Sequence, residues 1–291
     1  MTINQPLKSL QMYNDVLLKD KADIVESVLE RLPNVQVLGA YEKPKDTYPE
    51  VKVLSVKFSK IGKQTLNKYP NLEWIVCRSH GVDMVNLKDC KDKNIGVVAL
   101  SPTAVPCANW IKDKIKEDDA VLIFGNGSIS KELQKHIGNF NVVNTKTAQE
   151  EVDRYLAFAK TIVITLPLND NTKGYFDDVL FSKIRKEVDI ISISRGEVIS
   201  NPALVNFIAS GKLKQGHFDM LTSDHRPQIT EFPNIRYYEH VSWSYNQPII
   251  KGKIGGYVNS NFADDLKKLI DKCKENTIED AHLKRHERVW F

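Results

Sequence analysis

A chain of 291 residues is longer than the size at which a single core stops growing, so two domains, each with a core of its own, are expected. Hydrophobic residues at 42% and charged residues at 27% make an ordinary globular composition, and no stretch approaches the roughly 18 uncharged apolar residues of a membrane span. The 41 basic and 37 acidic residues leave a net charge of +4 with the lysines dispersed, which argues against a nucleic-acid groove.

The opening MTINQPLKSLQMYND lacks a basic region followed by an apolar one, so a cytoplasmic protein is expected. Cys77, Cys90, Cys107 and Cys273 lie far apart without a CxxC pair, which points to neither a metal site nor a redox dithiol.

In chain order, a helical pattern over Ala22–Leu32 is followed by the apolar runs VQVLGAY (35–41), VKVLSV (51–56), LEWIVC (72–77) and IGVVAL (95–100). Periodicity fades between Ser101 and Asp119, where Pro102 and Pro106 interrupt, and a second unit is expected to start with AVLIFG (120–125). NVVN (141–144), TIVITLP (161–167), VDIISIS (188–194) and QGHFDML (215–221) follow, with helical patterns over Ile129–Ile137 and Pro202–Ser210, the latter stopped by Gly211. The stretch Pro248–Cys273 reads as one long amphipathic helix with Leu266, Leu269 and Ile270 on one face. Alternation of strand and helix predicts an α/β protein with two Rossmann-like parallel-sheet domains. The expected division is residues 1–101 plus 250–291 as one domain, completed by the C-terminal segment, and 102–249 as a dinucleotide-binding domain.

The second unit opens on AVLIFGNGSIS, which puts Gly125 and Gly127 after a strand and before a helix. Gly125 permits a tight turn, Gly127 lets backbone approach a pyrophosphate, and the amides of Ser128 and Ile129 open a helix whose positive end attracts it. Ser130 stands in place of the third glycine of the full fingerprint, and without its flanks a GxG is a mere turn. The following strand end, NVVNTKTAQE, offers Asn144, Thr145, Lys146 and Thr147 instead of the carboxylate that would grip ribose hydroxyls, and Glu150 comes too late. Hydroxyls and a lysine suit a 2′-phosphate, which favours NADP(H) over NAD(H). As a plain solvated loop, the same residues would leave that choice undetermined.

The segment IISISRGEVISNPALVNFIASGKLKQGHFDML resembles the D-isomer-specific 2-hydroxyacid dehydrogenases, the family of glycerate, phosphoglycerate and glyoxylate or hydroxypyruvate reductases. TIVITLPLNDNTKGYF is similar to that family's PLTxxTxxxI loop, NLEWIVCRSHGVDMVNL to its LKxIxxxSxGxDxxxL segment, and NIRYYEHVSW to the strand leading into TPHxAW. The resemblance implies hydride transfer between a nicotinamide and C2 of a small 2-oxo or 2-hydroxy acid such as glyoxylate, hydroxypyruvate or D-glycerate. It gives Arg195 the substrate carboxylate and carbonyl, and His240 the role of acid and base, paired with a carboxylate that here is Asp224. It assigns Asp219 to the nicotinamide carboxamide, with Leu166, Pro167, Thr172, Ser194 and His240 also lining the cofactor. In the first domain it marks Lys57 and the loop Ser79, His80 and Gly81 for the substrate.

Two features depart from the family. Asp224 stands where the family has a glutamate, one methylene longer, with His225 beside it as another candidate partner. The long interdomain helix and arm that build the family's dimer are reduced to Val105–Asp119, so the usual homodimer is in question. A dinucleotide-binding sensor with little turnover is therefore the alternative to an active reductase. Trp243 reads equally well as pocket wall or as core.

Overall fold

The computed structural model describes residues 15–20, 26–38, 46–79, 81–100, 103–224, 226–247, 249–251, 257–259 and 262–278. The chain divides into two units, Met1–Pro102 with Gln247–Phe291, and Thr103–Asn246.

The first unit is built on β1 (Val16–Lys19), β2 (Gln36–Leu38), β3 (Val53–Val56), β4 (Trp74–Cys77) and β5 (Gly96–Ala99), all parallel in the order β2-β1-β3-β4-β5. β3 and β4 are buried at every position, which explains apolar runs, broken only by Ser55, where a half-exposed sheet would alternate. One face packs Val16, Leu18, Val53, Trp74 and Val76 against Leu266, Ile270 and Cys273 of the helix Phe262–Glu275. The other packs Leu17, Leu54, Ile75 and Val97 beneath Leu66 and Cys90. Gly96 lies under the Trp74 indole, where a β-carbon would come within 2.3 Å of the ring.

The second unit holds β6 (Val121–Phe124), β7 (Phe140–Val143), β8 (Thr161–Ile164), β9 (Val188–Ser192), β10 (Leu213–Phe218) and β11 (Ile235–Tyr237), all parallel in the order β11-β10-β9-β8-β6-β7. Leaving β6, the chain goes first to β7 on one side and then to β8 on the other. The switch point of this sheet therefore lies between the C-terminal ends of β6 and β8, where open α/β sheets take their ligands.

Two expectations are corrected. The segment Ser101–Asp119 contains a buried helix, Ala104–Lys112, although Ser101 and Pro102 themselves lie outside the described residues. Pro106 is its third residue, where the missing N–H costs nothing because first-turn amides have no partner within the helix. Cys107, Ala108, Trp110 and Ile111 pack on Val121, Ile123, Val163 and Ile191, so the short segment serves as a layer of the second unit. Nor is Pro248–Cys273 a single helix. Ile249–Lys251 (β12) and Tyr257–Asn259 (β13) pair antiparallel, and the helix begins only at Phe262. Leu266 and Ile270 are buried as the pattern required, but three-residue strands leave no period to read.

Candidate active site

At the switch point of the second unit, Gly125 has φ +115 and donates its amide to the Val143 carbonyl at 2.8 Å. A β-carbon here would meet the Thr165 hydroxyl at 2.5 Å and the Thr165 backbone at 3.0 Å, so only glycine lets the two strand ends come this close. Gly127 is different. Its φ of −83 suits any residue, and nothing lies within 4 Å of where a β-carbon would stand, which leaves bare backbone open beside the helix Ser128–Gln134. An open, donor-rich turn at this place fits a dinucleotide pyrophosphate. Ser130, in the position of the third glycine, is fully buried and accepts from Gln134 at 3.0 Å; it is a small residue in a tight place.

After β7, Asn144 and Thr147 close a turn on themselves. Thr147 Oγ1 accepts the Asn144 amide at 2.9 Å, and Asn144 Oδ1 accepts the Lys146 amide at 2.8 Å. Thr145 and Lys146 are exposed. Around β8 and β9, Ser194 donates to the Leu166 carbonyl at 2.8 Å and Thr172 to the Pro167 carbonyl at 2.5 Å, while Leu166, Thr172 and Ser194 are all buried. These hydroxyls are spent on tying the β9 end and the 169–172 turn to the backbone that follows β8.

Arg195 follows β9, half-buried, with Nη1 3.1 Å from Met220 Sδ. Its neighbour Gly196 packs so tightly on the loop after β10 that a β-carbon would fall 2.4 Å from the Thr222 amide. Asp219, the first residue beyond β10 and 1% exposed, takes the Val241 and Ser242 amides and the Ser242 hydroxyl on its carboxylate, and the His240 amide on its carbonyl. The structure thus links Arg195, Met220, Asp219 and His240 through the loops of three adjacent strands. Glu239 and His240 have φ of +53 and +63, and holding a side chain in this left-handed region costs about 1–3 kcal/mol per residue. His240 is exposed at the tip, and Asp224 is exposed with its carboxylate on the Ser223 hydroxyl at 2.9 Å. His225 lies outside the described residues. Trp243 packs partly buried against the core cluster that includes Cys107 and Trp110.

Lys114 braces the same loop. Its ammonium sits 3.7 Å from the Trp110 ring centre, 5.1 Å from Tyr238 and 5.6 Å from Tyr245, the two tyrosines flanking His240, and donates to the Trp110 carbonyl at 2.8 Å. Burial pulls this amine down to about 8, against the opposing charges of Asp113 and Asp219. The four cysteines are buried neutral thiols, each pushed up to about 12 chiefly by burial.

In the first unit the sequence reasoning missed the group that organises the marked loops. Asp20, directly after β1 with φ +67, accepts the amides of Lys57, Phe58 and Ser59 on one carboxylate oxygen, each at 3.1 Å, and the Ser59 hydroxyl on the other at 2.5 Å. Burial pushes this carboxyl up, but the Ser59 hydroxyl and the three amides outweigh burial and hold it below the usual aspartate range. Arg78, 3% exposed, donates to the Ser55 carbonyl at 2.8 Å, the Asp20 carbonyl at 2.7 Å and the Lys19 carbonyl, joining the ends of β1, β3 and β4. Ser79 donates to Gly81 at 2.8 Å; His80 lies outside the described residues. A lone aspartate ending the run DVLLKD was the only signal of this cluster.

Residues 15–109 match the profile "D-isomer specific 2-hydroxyacid dehydrogenase, catalytic domain", and residues 109–242 that of the same family's "NAD binding domain". The chain belongs to the D-isomer-specific 2-hydroxyacid dehydrogenase family. It is by that membership an NAD(P)-dependent oxidoreductase, and no helix among its described residues is long and apolar enough to cross a membrane. A putative 2-hydroxyacid dehydrogenase of Haemophilus influenzae is 21% identical over 265 residues, covering 72% of this chain and 82% of that protein. Plant formate dehydrogenases also match, but the chain spans only 30% of their length. Among solved structures, an acyclic imino acid reductase in complex with NADPH and D-Arg has a TM-score of 0.70 at 12% identity, covering 91% of this chain and 99% of that one. An NADPH-dependent glyoxylate/hydroxypyruvate reductase of Sinorhizobium meliloti, bound to NADP and malonate, has a TM-score of 0.66 at 15% identity over 91% of this chain and 94% of that one. At such identities these two structures speak for the fold alone.

Proposed function

We propose that this 2-hydroxyacid dehydrogenase reduces a small 2-oxo acid of the glyoxylate or hydroxypyruvate kind, or runs the reverse on D-glycerate, with NADP(H) preferred over NAD(H). The observation that carries this reading is the linked set of strand-end loops bearing Arg195, Asp219 and His240, on the same edge of one sheet as the open Gly125–Gly127 turn. The bound dinucleotide would supply or accept the hydride. Gly125, Gly127, Ser128 and Ile129 would cradle its pyrophosphate, and Leu166, Pro167, Thr172 and Ser194 its nicotinamide half. Arg195 would hold the substrate carboxylate with its fork of donors, and His240 would give the proton to the developing alkoxide. Asp224 would turn onto His240 when substrate binds, since apo contacts of this kind are often loose. Lys57 and the Ser79–Gly81 loop would take up the acid from the first unit.

NADP(H) is favoured because Thr145 and Lys146 are exposed after β7 and the strand-end segment Asn144–Thr147 contains no carboxylate to repel a 2′-phosphate. Replacing Lys146 with Asp should weaken NADPH far more than NADH, and equal weakening would remove that preference. The partner is a free small acid rather than nucleic acid or membrane, the compartment the cytoplasm, and any pairing of two copies proceeds without the long arm.

The exposed Asp224, bonded to Ser223, favours a second reading as a dinucleotide sensor with little turnover. Absorbance assays of NADPH oxidation over a panel of 2-oxo acids, with Arg195→Ala and His240→Ala alongside, separate the two. Turnover that falls at least 1000-fold in both variants supports the reductase, as expected for residues acting in the transition state. Tight NADPH binding with no turnover of any acid supports the sensor.

A further inference from the structure

The turn that carries His240 is strained, and one buried side chain holds it. Glu239 and His240 stand at φ +53 and +63, where L-residues rarely go. Against them lies the Asp219 carboxylate. Its Oδ1 accepts the amides of Val241 at 2.8 Å and Ser242 at 3.0 Å, its Oδ2 accepts the Ser242 hydroxyl at 2.7 Å, and its carbonyl accepts the His240 amide at 2.7 Å. All four donors come from residues 240–242. Ser242 is 2% exposed and is backed by Cys107 Sγ at 3.4 Å from the helix Ala104–Lys112.

The motif TPHxAW has proline before the histidine and alanine where Ser242 stands. A proline ring fixes φ near about −65°, which the Glu239 backbone does not match. The hydroxyl of Ser242 meanwhile supplies a bond that alanine lacks. Resting on the reading of His240 as acid and base, we propose that Asp219 and Ser242 form a positioning clamp that sets the His240 imidazole in this chain. A carboxylate has about four acceptor positions. Three are already filled from the 241–242 backbone and hydroxyl, so most of the Asp219 carboxylate is spent on holding the loop.

The test uses the full chain with Asp219→Asn, Ser242→Ala, Ser242→Thr, Glu239→Pro and His240→Ala. It follows kcat, its pH profile, NADPH Kd by fluorescence, thermal unfolding, and the His240 ring resonance in histidine-labelled protein. Asp219→Asn should lower kcat about 100-fold, as misplacing a catalytic group by about 1 Å does, and shift the pH profile, with NADPH Kd unchanged. Ser242→Ala should fold normally, lose about fivefold in kcat for one missing hydrogen bond, and move or broaden the ring resonance. Ser242→Thr should restore both, and Glu239→Pro should impair turnover. If His240→Ala is inactive while Asp219→Asn and Ser242→Ala keep the parent kcat, pH profile and ring resonance, the clamp is overturned and His240 stands. If Asp219→Asn weakens NADPH tenfold at an unchanged saturating kcat, Asp219 is a cofactor ligand and the clamp is likewise wrong. Parent-level turnover by His240→Ala would instead overturn the acid-base reading beneath it.

Discussion

The two units place opposite chemistry at the same topological position. Each sheet begins with the order second, first, third, fourth, fifth strand, and in each the residue directly after the first strand has positive φ: Asp20 after β1 at +67 and Gly125 after β6 at +115. Asp20 turns its carboxylate onto the amides of residues 57–59, so the chain's own anion fills that switch point. Gly125 has no side chain to do so, and Gly127 keeps the neighbouring space open. One residue type after the first strand thus separates a self-capped turn from one that can receive a foreign anion.

The sharpest way to break this comparison is to close the open turn. Gly125→Val puts a branched side chain at φ +115 against the Thr165 backbone, and NADPH affinity should fall more than about 100-fold in a fluorescence titration, with a lower melting temperature. An unchanged Kd would mean that the dinucleotide does not lie on this turn.

A smaller effect is expected from emptying the closed one. Asp20→Ala leaves three amides and a hydroxyl without their acceptor, which should cost about 2 kcal/mol of stability at pH 7 in urea unfolding. The folded carboxyl lies below its ordinary value, so this stabilisation is fully present above about pH 4 and is lost as pH falls through the lower folded value. Parent and variant should accordingly converge toward pH 2; a constant difference across that range would show that the carboxylate charge is not what holds the loop.

The smallest effect sharpens the contrast between the two glycines. Gly127→Ala meets nothing and needs no special φ, so the melting temperature should stay within about 1 °C of the parent. NADPH affinity should nevertheless fall about tenfold, because the added methyl occupies the space a pyrophosphate would use. Equal affinity would assign the opening to solvent.

Much of the architecture was legible because parallel strands buried on both faces are rich in apolar residues: Trp74–Cys77 and Val121–Phe124 are unbroken runs, and Val53–Val56 is interrupted only by Ser55. Gly125 and Gly127 were legible for a local reason, since strand, turn residue and helix follow each other in the chain, whereas Ser194, Arg195 and Gly196 were marked by the family resemblance. The helix Ala104–Lys112 was obscured by Pro106, whose tolerance depends on its place in the first turn. The hairpin before Phe262 is set by cross-strand pairing that short strands do not advertise.

The order of residues by itself determined where most strands and turns of the two sheets and the family motifs fall, since these depend on neighbours within a few positions, but it gave no sign of β1 or of the β12–β13 hairpin. Only the tertiary structure decided that Asp20 caps residues 57–59, that Arg78 ties three strand ends together, and that Asp219 holds a strained His240. Each of those contacts joins residues about 20 to 60 positions apart, and a hydrogen bond across such a gap exists only once the sheet has brought its strand ends side by side.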